Sequence, residues 1–141
     1  MNTRPNLVLA VVAGLVVLLA VVAGVMAGTR EPPNLDPSTP DGTAQLLALA
    51  VIEGDDEEAV TYLDPALGCT TPLPEVYRPT RMSLAVVDTT IKGDRATVVL
   101  NVTESSGGLL SSYDHREVIE LKADGDRWLA TGHPWPIYSC K

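Results

Sequence analysis

The hydrophobic and polar positions divide the chain into stretches with different periods. The first is an unbroken apolar run at residues 7–28, LVLAVVAGLVVLLAVVAGVMAG, which contains no charged side chain. As an α-helix it would be about 33 Å long, which matches the hydrocarbon core of a bilayer. The pattern therefore predicts that residues 1–28 form a short cytoplasmic stub and a transmembrane signal anchor.

The flanking charges predict the orientation of this anchor. Arg4 and the N-terminal amine precede the apolar run, whereas residues 29–31, Thr-Arg-Glu, carry almost no net charge. The positive-inside rule then predicts a single-pass protein of the cell membrane, with a cytoplasmic N-terminus and an extracytoplasmic C-terminal domain. A cleaved signal peptide is the alternative, because Val25-Met26-Ala27 fits a small-x-small cleavage site. Both interpretations export the remaining chain.

A linker and two helices are predicted next. Residues 29–39 are rich in proline and polar groups, which is typical of an extended spacer. Thr39 fits an N-cap and Pro40 fits the first helical position, so a helix should begin there and end at Gly54. A shorter helix should follow, capped by Asp55. The acidic run 55–58 lacks the alternating pattern of a calcium loop, and capping explains it better.

From residue 81 onward the hydrophobic period changes from helical to two. Four strands are predicted, at 81–88, 95–103, 115–122 and 127–131, joined by turn signals such as Asp124-Gly125. Helices followed by an antiparallel meander predict an α+β fold. We therefore expect residues 40–141 to form two helices packed on a curved antiparallel sheet of about four strands.

The two cysteines are predicted to form a disulfide. Cys69 and Cys140 are the only cysteines in the chain, and both follow the predicted anchor. An even count in an exported region favours a disulfide over two free thiols. Half of a metal site is a further alternative, but His115 and His133 show no ligand spacing with either cysteine, so no metal is expected.

Charge and motifs exclude some function classes and leave others open. The net charge is −8, which repels nucleic acid and favours either solubility or a cationic partner. No Gly-x-Ser-x-Gly motif occurs, and the cysteines are expected to be oxidised. Asp114 and His115 are adjacent, so on a strand they would point to opposite faces. The sequence therefore predicts no catalytic residue and no cofactor.

The large aromatic side chains are expected to pack in the core. The C-terminal stretch HPWPIYSC supports this, since it contains stiff prolines and bulky rings that a disulfide would hold in place. An aromatic ligand pocket is the alternative. The residues predicted for the pocket are Tyr62, His115, Trp128, Trp135 and Tyr138.

Two stretches of the sequence resemble a known class of domain. The stretch VIEGDDEEAVTYLDPAL resembles the opening of nuclear-transport-factor-2-like or cystatin-like domains. The ending DGDRWLATGHPWPIYSC resembles small membrane-anchored actinobacterial proteins with such a domain outside the cell. The resemblance implies a cone-shaped α+β fold in which a bent antiparallel sheet wraps around helices. It carries no catalytic position onto this chain.

Two functions from different classes are compatible with these patterns. The first is a membrane-tethered, non-catalytic binding or accessory module of the cell envelope, whose partner would be another membrane or envelope protein. The alternative is a small-ligand carrier or an enzyme that uses the interior of the cone. A cavity lined by His115, Tyr62 or carboxylates would favour the second function. A closed core would favour the first, and the residues expected to fill it are Leu47, Val51, Val98, Leu100 and Trp128.

Overall fold

The computed structural model describes Val8 and residues 11–18, 35–105 and 111–140. The chain forms two compact units, Met1–Pro32 and Pro33–Lys141. In the first unit, Val8 and residues 11–18 are helical and exposed, and the other residues of that unit lie outside the described part. Most of the predicted linker at 29–39 lies outside it as well.

The prediction of a transmembrane anchor at residues 7–28 is wrong on this structure. Within the described ranges, no helix is long and apolar enough to cross a membrane. The single-pass location and the topology derived from that anchor are corrected with it.

In its described residues, the second unit contains two α-helices, a short 3₁₀ helix and six strands. The four-stranded antiparallel sheet has the order β2-β3-β4-β5, and β1 pairs antiparallel with β6 in a separate sheet. The predicted fold class was therefore also wrong in expecting one sheet of about four strands. The elements are α1 (Pro40–Glu53), α2 (Asp56–Thr61), the 3₁₀ helix (Pro65–Leu67), β1 (Glu75–Val76), β2 (Met82–Lys92), β3 (Arg95–Ser105), β4 (Ser112–Asp124), β5 (Arg127–Ala130) and β6 (Ile137–Ser139).

The ends of α1 follow from the capping residues in the sequence. Thr39 is extended, and its Oγ1 accepts a hydrogen bond of 3.2 Å from the Gly42 N–H, which satisfies one of the free donors of the first turn. Gly54 ends the helix in the left-handed region at φ 82°, which other residues adopt at a cost. The predicted start and end of this helix are thereby confirmed.

The core lies between α1 and the inner face of the sheet. On β3, every second residue from Ala96 to Val102 is buried, because side chains alternate between the two faces of a strand. Opposite them, Leu47 and Val51 of α1 are fully buried. Burying a leucine or valine side chain in this way contributes about 1.5–3 kcal/mol, so this apolar layer holds the helix on the sheet.

A bulge interrupts β2. Val86 lies opposite Leu100 and Asp88 lies opposite Val99, so Val87 has no partner on β3. An extra residue of this kind shifts the alternation of the strand by one position. Even-numbered residues of β2 therefore face inward before the bulge, and odd-numbered residues face inward after it.

The C-terminal segment is fixed to the middle of the chain. Cys69 and Cys140 form a disulfide with a sequence separation of 71, which confirms the predicted bond. In β6, Ile137 pairs with Val76 of β1, and the Tyr77 N–H donates to the Pro136 carbonyl at 2.9 Å. Trp135 is 7% exposed, so it packs as part of the core.

Candidate functional site

The inner face of the sheet changes from apolar to polar at one end. In the register of β3 and β4, Glu104 lies opposite Tyr113 and Val102 lies opposite His115. Val102 is fully buried on the inner face. Glu104 comes two residues after Val102 on the same strand, so its side chain lies on the inner face as well. Tyr113 and His115 lie directly opposite these two residues and therefore share that face. A group of ionisable side chains therefore continues the hydrophobic core toward the solvent.

His115 is held between two carboxylates. Its Nε2 lies 3.0 Å from Glu104 Oε1 and its Nδ1 lies 2.9 Å from Glu117 Oε1. Both ring nitrogens of His115 therefore have a carboxylate oxygen within hydrogen-bonding distance. The imidazole ring also stacks on Tyr113, with centroids 5.5 Å apart, and meets the edge of Trp135 at 5.8 Å.

Glu104 connects this histidine to β1. Tyr77 directly follows β1, and its hydroxyl donates a hydrogen bond of 2.7 Å to Glu104 Oε2. This bond, with a further one from His115, holds the pKa of Glu104 below its usual value. The same bond raises the pKa of Tyr77, because the hydroxyl proton is held by a carboxylate. Both oxygens of Glu104 therefore accept hydrogen bonds.

A cleft of about 300 Å³ opens beside these residues. Residues 77–81 form one wall, and the ends of β3 and β4 form the other. Tyr113 is 68% exposed and Tyr77 is 40% exposed, so the rings at both sides are accessible to solvent. The name Tyr77–Tyr113 cleft is used below for this cavity, whose lining is completed by Glu104, Ser105 and Ser111.

The two arginines of the cleft differ in their contacts. Arg78 Nε donates to the Val51 carbonyl at 2.7 Å, and its Nη2 forms an ion pair with Asp56. These bonds fix Arg78 against the end of α1 and the start of α2. Arg81 is exposed, and no ion pair involves its guanidinium within the described residues. Arg81 is thus the cation of the cleft that is available to a ligand.

The residues predicted for an aromatic pocket lie in different parts of the domain. His115 and Trp135 are in ring contact. Tyr62 ends α2, where its hydroxyl donates to Glu58 at 2.8 Å and its carbonyl accepts from the Ala130 N–H on β5. Trp128 is half-buried against the core, and Tyr138 is 61% exposed on β6. A pocket shared by all five stays a prediction.

The sequence did not predict Glu104, Tyr113, Glu117 or Arg81 as members of the site, and it did not predict the contact between Tyr77 and Glu104. Glu104 had a usable signal, because it occupies the next inward position after the alternating residues Ala96 to Val102. A charged side chain there breaks the apolar pattern of the inner face. Tyr77 had no such signal, since it approaches Glu104 from 27 residues away.

No metal centre is formed by the part of the chain that the structure describes, since it contains no group of three or more histidine, cysteine or acidic residues suited to one. In the His115 cluster, the two carboxylates lie on opposite ring nitrogens rather than around a common point. The arrangement is suited to hydrogen bonding and to the binding of a polar ligand in the adjacent cleft.

Comparisons with known proteins identify no family for this chain. No protein-family model matches it, and no curated protein matches it. A similar solved structure is that of a SEC-C motif containing protein from Rhodopseudomonas palustris, determined in solution. The two chains are 18% identical, with a TM-score of 0.49, over 76% of this chain and 82% of the other. A likeness at this level carries no functional argument. The resemblance to nuclear-transport-factor-2-like and cystatin-like domains stays a prediction.

Proposed function

We propose that the second unit, Pro33–Lys141, is a non-catalytic binding domain and that its ligand-contacting surface is the Tyr77–Tyr113 cleft. The observation that carries the proposal is the position of His115 beside this cleft with both ring nitrogens bonded to carboxylates. A general base needs a free nitrogen directed at the proton that it removes. An imidazole held on both sides is suited to positioning its neighbours.

The packing of the interior supports a surface cleft as the ligand site. The side chains that would line an internal cavity instead meet each other, since Leu47, Val51, Val98 and Leu100 are all 0% exposed. A ligand would therefore bind at the polar end of the sheet. There the fixed side chains of Arg78 and Glu104 give the cleft a defined shape before a ligand arrives, which lowers the entropic cost of binding.

One observation favours the alternative of an enzyme that uses the same cleft. Glu104 lines the cavity and is hydrogen-bonded to His115, so a carboxylate in contact with ligand is coupled to an imidazole. This arrangement would allow acid–base chemistry if His115 separated from one of its carboxylates on ligand binding. Turnover of a bound ligand is the property that distinguishes this function from binding alone.

The test is a small-molecule screen on the ¹⁵N-labelled full-length chain, read by amide chemical shifts in NMR. Ligands should shift the amides of residues 77–81 and of Tyr113, and mass spectrometry should recover them unchanged after long incubation. Tyr113→Ala should weaken their binding, whereas Val118→Ala, an exposed truncation on the opposite face of the same strand, should not.

Two results would contradict the proposal. Shifts confined to residues outside the Tyr77–Tyr113 cleft would place the ligand elsewhere. Conversion of a bound ligand, at a rate reduced by His115→Gln with binding retained, would identify the domain as an enzyme.

A further inference from the structure

The charges around the Tyr77–Tyr113 cleft are unusual for a protein with a net charge of −8. Two arginines line the cavity, Arg78 and Arg81, against one acidic residue, Glu104, and Arg78 is already paired with Asp56. Charged groups along the walls of a cleft focus the electrostatic potential inside it. The local potential of this cleft is therefore set by its own lining more than by the acidic surface elsewhere.

The single carboxylate of the cleft is already occupied. Oε2 of Glu104 accepts from the Tyr77 hydroxyl at 2.7 Å, and Oε1 faces Nε2 of His115 at 3.0 Å. A cationic ligand would have to displace one of these partners to reach Glu104. The cleft therefore offers little to a cation, although it contains an acidic residue.

The groups that remain for a ligand are hydrogen-bond donors. Arg81 presents a planar guanidinium fork, which matches the two oxygens of a carboxylate better than a spherical ion. Thr80 and Ser105 belong to the same lining, and their hydroxyl groups can donate or accept hydrogen bonds. The positive charge of Arg81 favours an anion, and its planar fork favours a carboxylate.

An aromatic ring supplies the second contact surface of the cleft. Tyr113 stacks on His115 through one face of its ring and is still 68% exposed, so much of the ring is open to solvent. Offset stacking on such a ring favours a planar ligand. The cavity volume of about 300 Å³ lies at the lower end of the range for ligand pockets, which fits a single ring.

We infer that the ligand class of the Tyr77–Tyr113 cleft is a small aromatic carboxylate, bound through its carboxylate to Arg81 and through its ring to Tyr113. This inference rests on the proposed binding function and adds the chemistry of the ligand. Glu104 and His115 do not contact the ligand carboxylate in this arrangement. Their role is to hold Tyr77 and Tyr113 in place.

The test uses four probes on the full-length ¹⁵N-labelled chain: benzoate, acetate, inorganic phosphate and benzylamine. Benzoate should shift the amides around Arg81 and Tyr113 with a dissociation constant on the order of 1 mM, which is typical of a weak one-ring ligand. Acetate and phosphate should bind more weakly because they lack the ring, and benzylamine should bind more weakly because it carries the opposite charge.

Two variants separate the charge of the cleft from the charge of the whole protein. Arg81→Gln should weaken benzoate binding by about tenfold or more, the effect of losing a hydrogen bond between charged groups. Arg116→Gln removes one positive charge from β4 at a position opposite Asn101 on the outer face and should leave binding unchanged. Equal melting temperatures of the two variants would show that the fold is retained.

The possible results separate this inference from the proposed function. If benzylamine binds the cleft as tightly as benzoate, or if Arg81→Gln has no effect, the anionic ligand class is wrong and the binding function stands. If acetate or phosphate binds as tightly as benzoate, the contact with Tyr113 is wrong. If none of the probes shifts the cleft amides, the inference is overturned. If the wider screen also finds no ligand there, the proposed function fails with it.

Discussion

The disulfide between Cys69 and Cys140 makes a stability contribution that can be worked out from the structure. It closes a loop with a sequence separation of 71. In the chain-entropy model, closing a loop of this length in the unfolded state stabilises the fold by about 4 kcal/mol. The double variant Cys69→Ala/Cys140→Ala should lose that amount. Removing the buried sulfur of Cys140, which is 6% exposed, should cost about 1 kcal/mol more.

Urea unfolding followed by the fluorescence of Trp128 and Trp135 measures this loss. A domain of this size has a denaturant dependence of about 1.5 kcal/mol per molar urea, so the midpoint should fall by about 3 M. The unaltered protein in dithiothreitol keeps both sulfurs, so its midpoint should lie about 0.7 M urea above that of the double variant. Dithiothreitol should have no effect on the double variant, which contains no bond to reduce.

A loss below about 1 kcal/mol would refute this reasoning. It would mean that the unfolded chain is already compact between Cys69 and Cys140, so that the bond removes little entropy. The pairing of β1 with β6 and the burial of Trp135 would then be sufficient to hold the C-terminal segment.

The core, the first helix and a half-buried tyrosine give three further predictions. Leu100→Ala should lower the free energy of unfolding by about 3 kcal/mol, and Val118→Ala by less than about 0.5 kcal/mol. If Leu100→Ala costs as little as Val118→Ala, Leu100 does not belong to the core. Thr39→Ala should cost about 1 kcal/mol by removing the N-cap, and a loss of α1 helicity by circular dichroism should accompany it. Burial, followed by the hydrogen bond to Glu58, raises the pKa of Tyr62 to about 12. The folded pKa lies above the unfolded one, so this stability is complete below pH 10 and is lost as pH rises toward 12. A pKa that is higher by about two in the folded state corresponds to about 2.7 kcal/mol, which solvent screening reduces to about 1 kcal/mol. Tyr62→Phe should remove this part of the decline in the free energy of unfolding, measured by urea unfolding from pH 9 to 12. If the free energy of unfolding of this variant falls as steeply with pH as that of the unaltered protein, the assignment is wrong.

The helices of the second unit could be predicted because their signals are local. Thr39, Pro40 and Gly54 determine the ends of α1 through contacts within one turn of the helix. Asp55 does the same for α2, where its side chain accepts from the Glu58 N–H at 3.0 Å. Such contacts depend on sequence spacing alone, so they can be recognised before the fold is known.

The second sheet could not be predicted because it depends on a long-range pairing. β1 has two residues and β6 has three, which is too short for a hydrophobic period to be visible. They meet because the chain returns to the middle of the domain, where the disulfide joins Cys69 to Cys140. The sequence indicated the bond but not the strands beside it.

For the candidate site, the sequence could predict only to which face of a strand each side chain points. The sequence predicted that Asp114 and His115 point to opposite faces. The structure confirms it, since Asp114 accepts a hydrogen bond from Thr103 on the outer face, whereas His115 bonds Glu104 on the inner face. The partner of His115 depends on the register between β3 and β4. The connection between these strands is rich in serine and glycine and does not specify that register.

The bulge at Val87 determines where the sheet can change in length. Val86 pairs with Leu100 and Asp88 pairs with Val99, so deletion of Val87 would leave every other partner in place. Deletion of a residue from the middle of β3 would instead turn half of that strand over and expose its buried side chains. Insertions and deletions of single residues in related sequences are therefore expected mainly at this position of the sheet.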